Sequence, residues 1–203
     1  MVVIHFTAMR SCAAALDRLC DPAVEVSAHY LISDHGAVHA LVPEPLRAWH
    51  AGAGSWGGVT DVNSRSIGIE LDNDGASPFT EPLMHALEVL LCDILRRHAI
   101  PPHRVIGHSD MAPGRKIDPG PRFDWRRLAR QGLSVWPVPG KPEEDFRASA
   151  RAFGYPDVED ATLLSAFRLR FRPWARGPLD SVDAALAADL ARRFPVDAAA
   201  ASA

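Results

Sequence analysis

Lysine is almost missing from this chain. Of its 22 basic residues only Lys116 and Lys141 are lysine, and the other 20 are arginine. A chain so biased keeps lysine where a compact point charge is needed, or by chance. Cysteine is scarce as well. The 3 cysteines, Cys12, Cys20 and Cys92, are too few for a closed disulfide framework. On a helix, Cys12 and Cys20 stand about 12 Å apart along the axis, beyond bridging distance. All three read as small apolar fillers. No apolar run approaches the roughly 20 residues of a membrane-spanning helix. The net charge of −3 lacks the basic excess of a polyanion binder, so nucleic acid is not an expected partner. A signal-peptide pattern is also lacking: Met1 runs straight into Val2-Val3-Ile4-His5-Phe6. Either the natural start lies upstream, or the chain begins inside a strand.

What remains is ordinary globular composition, 47% hydrophobic and 23% charged over 203 residues. Residues 2–6 are short, β-branched and apolar, hence a buried strand. A short helix is expected over 11–20 with Ser11 as cap. Ser27–Ser33 and Ala37–Val42 read as strands around the Asp34-His35-Gly36 turn. Residues 43–65 are loop-like, and Ser66–Leu71 alternates as a strand. The strongest helix runs from Glu81 to His98, with Thr80 as cap, Pro82 in the first turn, and Leu83, Leu87, Leu90, Leu91, Ile94 and Leu95 at helical spacing. Val105-Ile106 starts another strand, followed by a loop from Gly107 to Trp125 and a short helix over Trp125–Gln131. This alternation predicts an α/β fold with a central mixed sheet flanked by helices. A Pro-rich linker (137–143) separates residues 1–136 from a small C-terminal three-helix domain (144–197) and a frayed tail (198–203). The helical segment reads equally as a binding module or as a brace for the first domain.

Chemistry concentrates in the Gly- and Pro-rich loop 107–121, which holds His108, Asp110, Arg115, Lys116 and Asp118 with few apolar residues. His5 ends a strand expected to be central in the sheet, where an imidazole needs a partner. Two imidazoles and a carboxylate would suit zinc, although His5 also reads as a satisfied core histidine. Alternation puts Glu70 on the face opposite Ile69 and Leu71, which is either a solvated face or a site.

Five ordered blocks spanning residues 2–136 make the chain recognisable. They are Val3-Ile4-His5-Phe6-Thr7, Ser27-Ala28-His29-Tyr30-Leu31-Ile32, Ala48-Trp49-His50-Ala51-Gly52, Asn63 through Leu71, and His108 with Arg115-Lys116-Ile117-Asp118-Pro119-Gly120-Pro121. Together they resemble the zinc-dependent N-acetylmuramoyl-L-alanine amidases, which share their fold with peptidoglycan recognition proteins. Within that family the chain is most similar to the outer-membrane lipoprotein branch. Members of that branch carry a C-terminal helical domain resembling peptidoglycan-binding modules, and Gly154-Tyr155 with Phe171-Arg172-Pro173 fits the pattern.

The resemblance implies one zinc ion per chain held by His5, His108 and Asp118. It implies Glu70 as the group that activates water, and Lys116 as the charge that holds the tetrahedral oxyanion during hydrolysis of the lactyl–L-alanine amide. Trp49, His50, Asn63 and Arg115 are expected to line the substrate groove. Trp49 reads equally as a loop-packing aromatic, and His50 as a support behind the ligands. His29 is expected to make a structural hydrogen bond. The implied substrates are peptidoglycan or anhydromuropeptides, and the implied location is the cell envelope, anchored through an upstream segment. A monomer is expected. A non-catalytic peptidoglycan-binding module is the rival reading, set against the presence of every ligand position together with Glu70 and Lys116.

Overall fold

A computed structural model describes residues 1–140 and 145–196. The end of the expected linker, with Lys141, and the expected frayed tail lie outside the described residues. Five strands form one sheet in the order β3-β2-β4-β1-β5: β1 Val2–Phe6, β2 Tyr30–Ile32, β3 Val38–Ala40, β4 Ile67–Leu71 and β5 Val105–Gly107. Strands β2, β4, β1 and β5 are mutually parallel, and β3 joins antiparallel to β2 through the turn at 34–36. The middle strand is therefore β4 rather than β1, although β1 is still paired on both sides. β2 and β3 are shorter than the sequence pattern predicts.

Side-chain alternation divides the sheet into two faces with different fates. Val2, Ile4, Ile67, Ile69, Leu71 and Val105 point to one face. There they pack against Leu83, Leu87, Leu91 and Ile94 of α2 (Glu81–Arg97). Thr80 Oγ1 caps that helix by accepting from the Leu83 N–H at 3.4 Å. The opposite face carries Val3 and Ile106, which join a second apolar cluster, and, at intervening positions, His5 and Glu70. One face is thus a closed apolar core, and the other is left for chemistry.

Helix α1 (Cys12–Cys20) is capped by Ser11 and buries Ala15. The cysteines are not core fillers: Cys20 and Cys92 are exposed and Cys12 is half-buried, because α1 and α2 turn other residues inward. The stretch after β5 is not all loop. Helix α3 (His108–Met111) is a single turn whose start is fixed by Asp110 Oδ2 accepting the Gly107 N–H at 2.8 Å. Four residues are too few to show a helical period. Helix α4 (Trp125–Arg130) follows.

The C-terminal segment supplies α5 (Phe146–Phe153), α6 (Asp160–Phe171) and α7 (Ser181–Arg193). Its aromatics do not close a private core. Phe153, Phe167 and Phe171 share one cluster with Trp56, Val3, Ile106 and Met111. Trp56, from the 43–65 loop, meets Phe153 and Tyr155 edge-on with ring centroids 5.3 and 5.1 Å apart. Gly154, at φ 138°, permits this approach, since a Cβ there would overlap the Trp56 ring. A buried arginine completes the junction. Arg170 of α6 lies 4.1 Å over the Trp125 ring. It also donates to Asp110, to the Val105 carbonyl and to Ser134 Oγ.

Candidate metal centre and its cleft

A cleft of about 800 Å³ opens on the chemistry face of the sheet, lined among others by His5, Trp49, His50, Glu70, His108, Arg115, Lys116 and Asp118. His5 is delivered by β1, Glu70 by β4 and His108 by the first position of α3. Asp118 follows on the returning loop, where its carbonyl accepts the Ser109 N–H at 2.9 Å. That bond folds the loop back so that Asp118 faces His108. The parallel register pairs His5 directly with Glu70, so both project from neighbouring strands onto one side.

Three donor atoms converge. His5 Nδ1 and His108 Nδ1 lie 2.9 Å apart, and Asp118 Oδ2 lies 2.9 Å from the first and 3.0 Å from the second. All three residues are buried. On its far side His108 Nε2 is 2.7 Å from the Ala51 carbonyl, an acceptor only, so Nε2 carries the ring proton and Nδ1 presents a lone pair inward. Burial, and then the neighbouring His108, pull the His5 imidazole down to about 4, so this ring is neutral at neutral pH. Lone pairs packed this closely around a carboxylate repel unless a cation lies between them. Two imidazole nitrogens and one carboxylate oxygen form a zinc-type donor set.

Glu70 stands beside this centre with a different character. Its Oε2 is buried and has no hydrogen-bond partner among the described residues. Burial first, then the Asp118 charge, push its carboxyl up to about 8, with the Lys116 ammonium opposing them. Such a group is poised to exchange protons near neutral pH. Lys116 is exposed at the cleft wall, two residues before Asp118.

The expected groove residues divide. Trp49, 49% exposed, lies on the cleft wall, held by hydrogen bonds between its backbone and Ser27. Arg115 also lines the cleft, but its Nη2 donates to the Ala51 and Ala53 carbonyls, so a grip on a ligand carboxylate through that nitrogen would break both bonds. His50 lines the cleft but is itself buried, and its ring engages His5, with Nδ1 3.0 Å from His5 Nε2. Asn63 does not line the cleft. Its Oδ1 accepts the backbone N–H groups of His50 and Ala51 at 3.0 and 2.8 Å. The correction for Asn63 has one cause: the 43–65 loop has no periodicity from which side-chain direction can be read. His29 accepts the Gly68 N–H at Nδ1 and donates from Nε2 to the Leu46 carbonyl.

Sequence patterns give no role to Ser66 or Arg170, and place Asp110 in the charged loop without showing its partners. For Ser66 a signal existed, because alternation along Ser66–Leu71 puts Ser66, Gly68 and Glu70 on one face. No local pattern marks Asp110 and Arg170, whose partners are distant in sequence.

Comparison with known proteins agrees with this geometry. Residues 1–121 match the N-acetylmuramoyl-L-alanine amidase family. The chain is 35% identical to the N-acetylmuramoyl-L-alanine amidase AmiD of Escherichia coli, over 97% of this chain and 84% of that protein. It is 41% identical to the 1,6-anhydro-N-acetylmuramyl-L-alanine amidase AmpD of Haemophilus influenzae, over 51% of this chain and 57% of that one. The solved complex of Escherichia coli AmiD with the substrate anhydro-N-acetylmuramic acid-L-Ala-D-gamma-Glu-L-Lys has the same fold. Its TM-score is 0.86 at 34% identity, covering 96% of this chain and 89% of that one.

Proposed function

The chain belongs to the N-acetylmuramoyl-L-alanine amidase family and is an amidase of that kind, and from this premise we propose that it cleaves anhydromuropeptides with zinc held by His5, His108 and Asp118. The observation that carries the reading is the convergence of two imidazole nitrogens on a buried carboxylate, next to a carboxyl oxygen of Glu70 with no partner among the described residues. A module that only bound peptidoglycan would need neither feature. Zinc bound there supplies Lewis-acid polarisation of the lactyl–L-alanine carbonyl and acidifies water.

The chain's own residues supply the rest. Glu70, as its anion, takes a proton from the attacking water at its buried Oε2 and returns it to the leaving alanine nitrogen. Lys116 meets the negative charge that develops on the carbonyl oxygen. Trp49 offers an aromatic wall to the muropeptide. Helices α5–α7 belong to the same proposal as a segment like the peptidoglycan-binding modules of the lipoprotein branch, and envelope localisation follows from that likeness. No helix among the described residues is long and apolar enough to cross a membrane.

The test is hydrolysis of an anhydromuramyl-tripeptide with a chelator and after zinc is restored. Free tripeptide should appear, stop with chelator and return with zinc. Binding without cleavage at one zinc per chain would overturn the catalytic reading.

A further inference from the structure

A hydrogen-bonded chain runs outward from His5, on the side of its ring away from His108 and Asp118. Ser66 Oγ lies 2.5 Å from the Val62 carbonyl, so its one hydroxyl proton is committed there. The same oxygen therefore accepts from His50 Nε2, at 3.2 Å. A neutral His50 with its proton on Nε2 has a bare Nδ1, which accepts from His5 Nε2 at 3.0 Å. The proton of His5 thus sits on Nε2, and its Nδ1 lone pair is left facing His108 and Asp118.

Two further features show that this chain is built rather than incidental. The His50 ring lies against the backbone of Gly68, where any Cβ would overlap it. The backbone of His50 and Ala51 is pinned by the single Asn63 oxygen. Those two consecutive residues supply the outward partners of both ligand imidazoles, the His50 ring for His5 and the Ala51 carbonyl for His108.

We infer that His50, backed by Ser66, is a positioning residue that locks His5 in the tautomer whose Nδ1 lone pair points at the metal site. The inference rests on the zinc reading above and adds to it a residue that acts through His5 rather than on the metal itself. Outward partners of metal-bound histidines orient the ring and raise its basicity, and losing one costs about 10- to 100-fold in metal affinity. Here the partner is a neutral imidazole rather than a carboxylate, so the ring is oriented without adding charge to the centre.

The experiment has two arms. In metal-free protein, nitrogen-15 NMR should report His5 as the single Nε2–H tautomer in the wild type and as a tautomer mixture in His50→Leu. Chelator competition should show zinc affinity falling about 10- to 100-fold in His50→Leu. His50→Gln should regain most of it, because an amide can accept from His5 and donate to Ser66. If His50→Leu fails to fold, Ser66→Ala serves instead and should shift the same tautomer signal. An unchanged tautomer together with unchanged zinc affinity in the folded variants overturns the inference. A wild type that binds no zinc but shows the Nε2–H tautomer would count against the metal reading alone.

Discussion

Arg170, one residue from the end of α6, places its Nη1 2.6 Å from Oδ2 of Asp110, two residues beyond the proposed ligand His108. Both side chains are buried, and Asp110 also accepts from the Tyr155 hydroxyl at 2.7 Å. Removing one partner of a buried pair leaves a charge stranded, which costs about 3–5 kcal/mol. Arg170→Met should therefore lower unfolding free energy by about that amount in urea titration. It should also raise hydrogen exchange at residues 107–112. A loss below about 1 kcal/mol, in the range of an exposed pair, would mean that α6 does not brace the ligand loop.

Glu70→Gln keeps the shape of the side chain and removes its ability to take a proton. It should lower kcat by about 10²- to 10⁴-fold, the usual worth of a general base, while zinc content stays at one per chain. Elemental analysis beside the rate assay separates the two effects. Near-wild-type turnover would remove Glu70 from the proton path.

Lys116→Ala should cost about 3 kcal/mol of transition-state stabilisation, some 10²-fold in kcat. Lys116→Arg should recover only part of that, because a planar guanidinium does not reproduce a compact ammonium. An equal loss in KM with kcat intact would instead make Lys116 a substrate-binding charge.

The raised Glu70 value has a stability consequence in metal-free protein. In the unfolded chain this carboxyl ionises near its ordinary value of 4.5, whereas in the fold it holds its proton up to about 8. Between those limits the folded state binds the extra proton, so its contribution to stability falls as pH rises. His5, pulled down to about 4, acts at the other end: the unfolded chain takes up its proton first as pH falls below 6.5, and stability is lost there. Melting of wild type against Glu70→Gln at pH 5 and pH 8 checks the first claim. The wild type should lose ground to the variant at the higher pH, and a pH-independent difference would contradict it.

Much of this site is legible in the sequence. The apolar run Val2–Phe6 and the alternation in Ser66–Leu71 mark two strands and give Glu70 its face, and the parallel register then brings His5 and Glu70 to the same side. The ligand loop declared itself through its Gly and Pro content and its density of charge. Direction within the 43–65 loop is not readable: His50 reads equally as groove wall and as support for the ligands, and nothing local shows that Asn63 turns onto the backbone of His50 and Ala51. Arg170 was hidden for a different reason. An arginine in an amphipathic helix is normally solvated, and only the approach of Asp110 and Trp125 from distant segments makes this one internal.

The pairing of His5 with Glu70 across β1 and β4 bears on how the molecule could misassemble. Side-chain direction in a strand repeats every two residues, so a slip of one position would send either group through to the leucine-packed face beneath α2. A sheet misaligned by one position then has no site. Enzyme activity recovered after dilution from denaturant would count correctly aligned molecules one by one, where a spectroscopic signal from α2 or α6 would also count the misaligned ones.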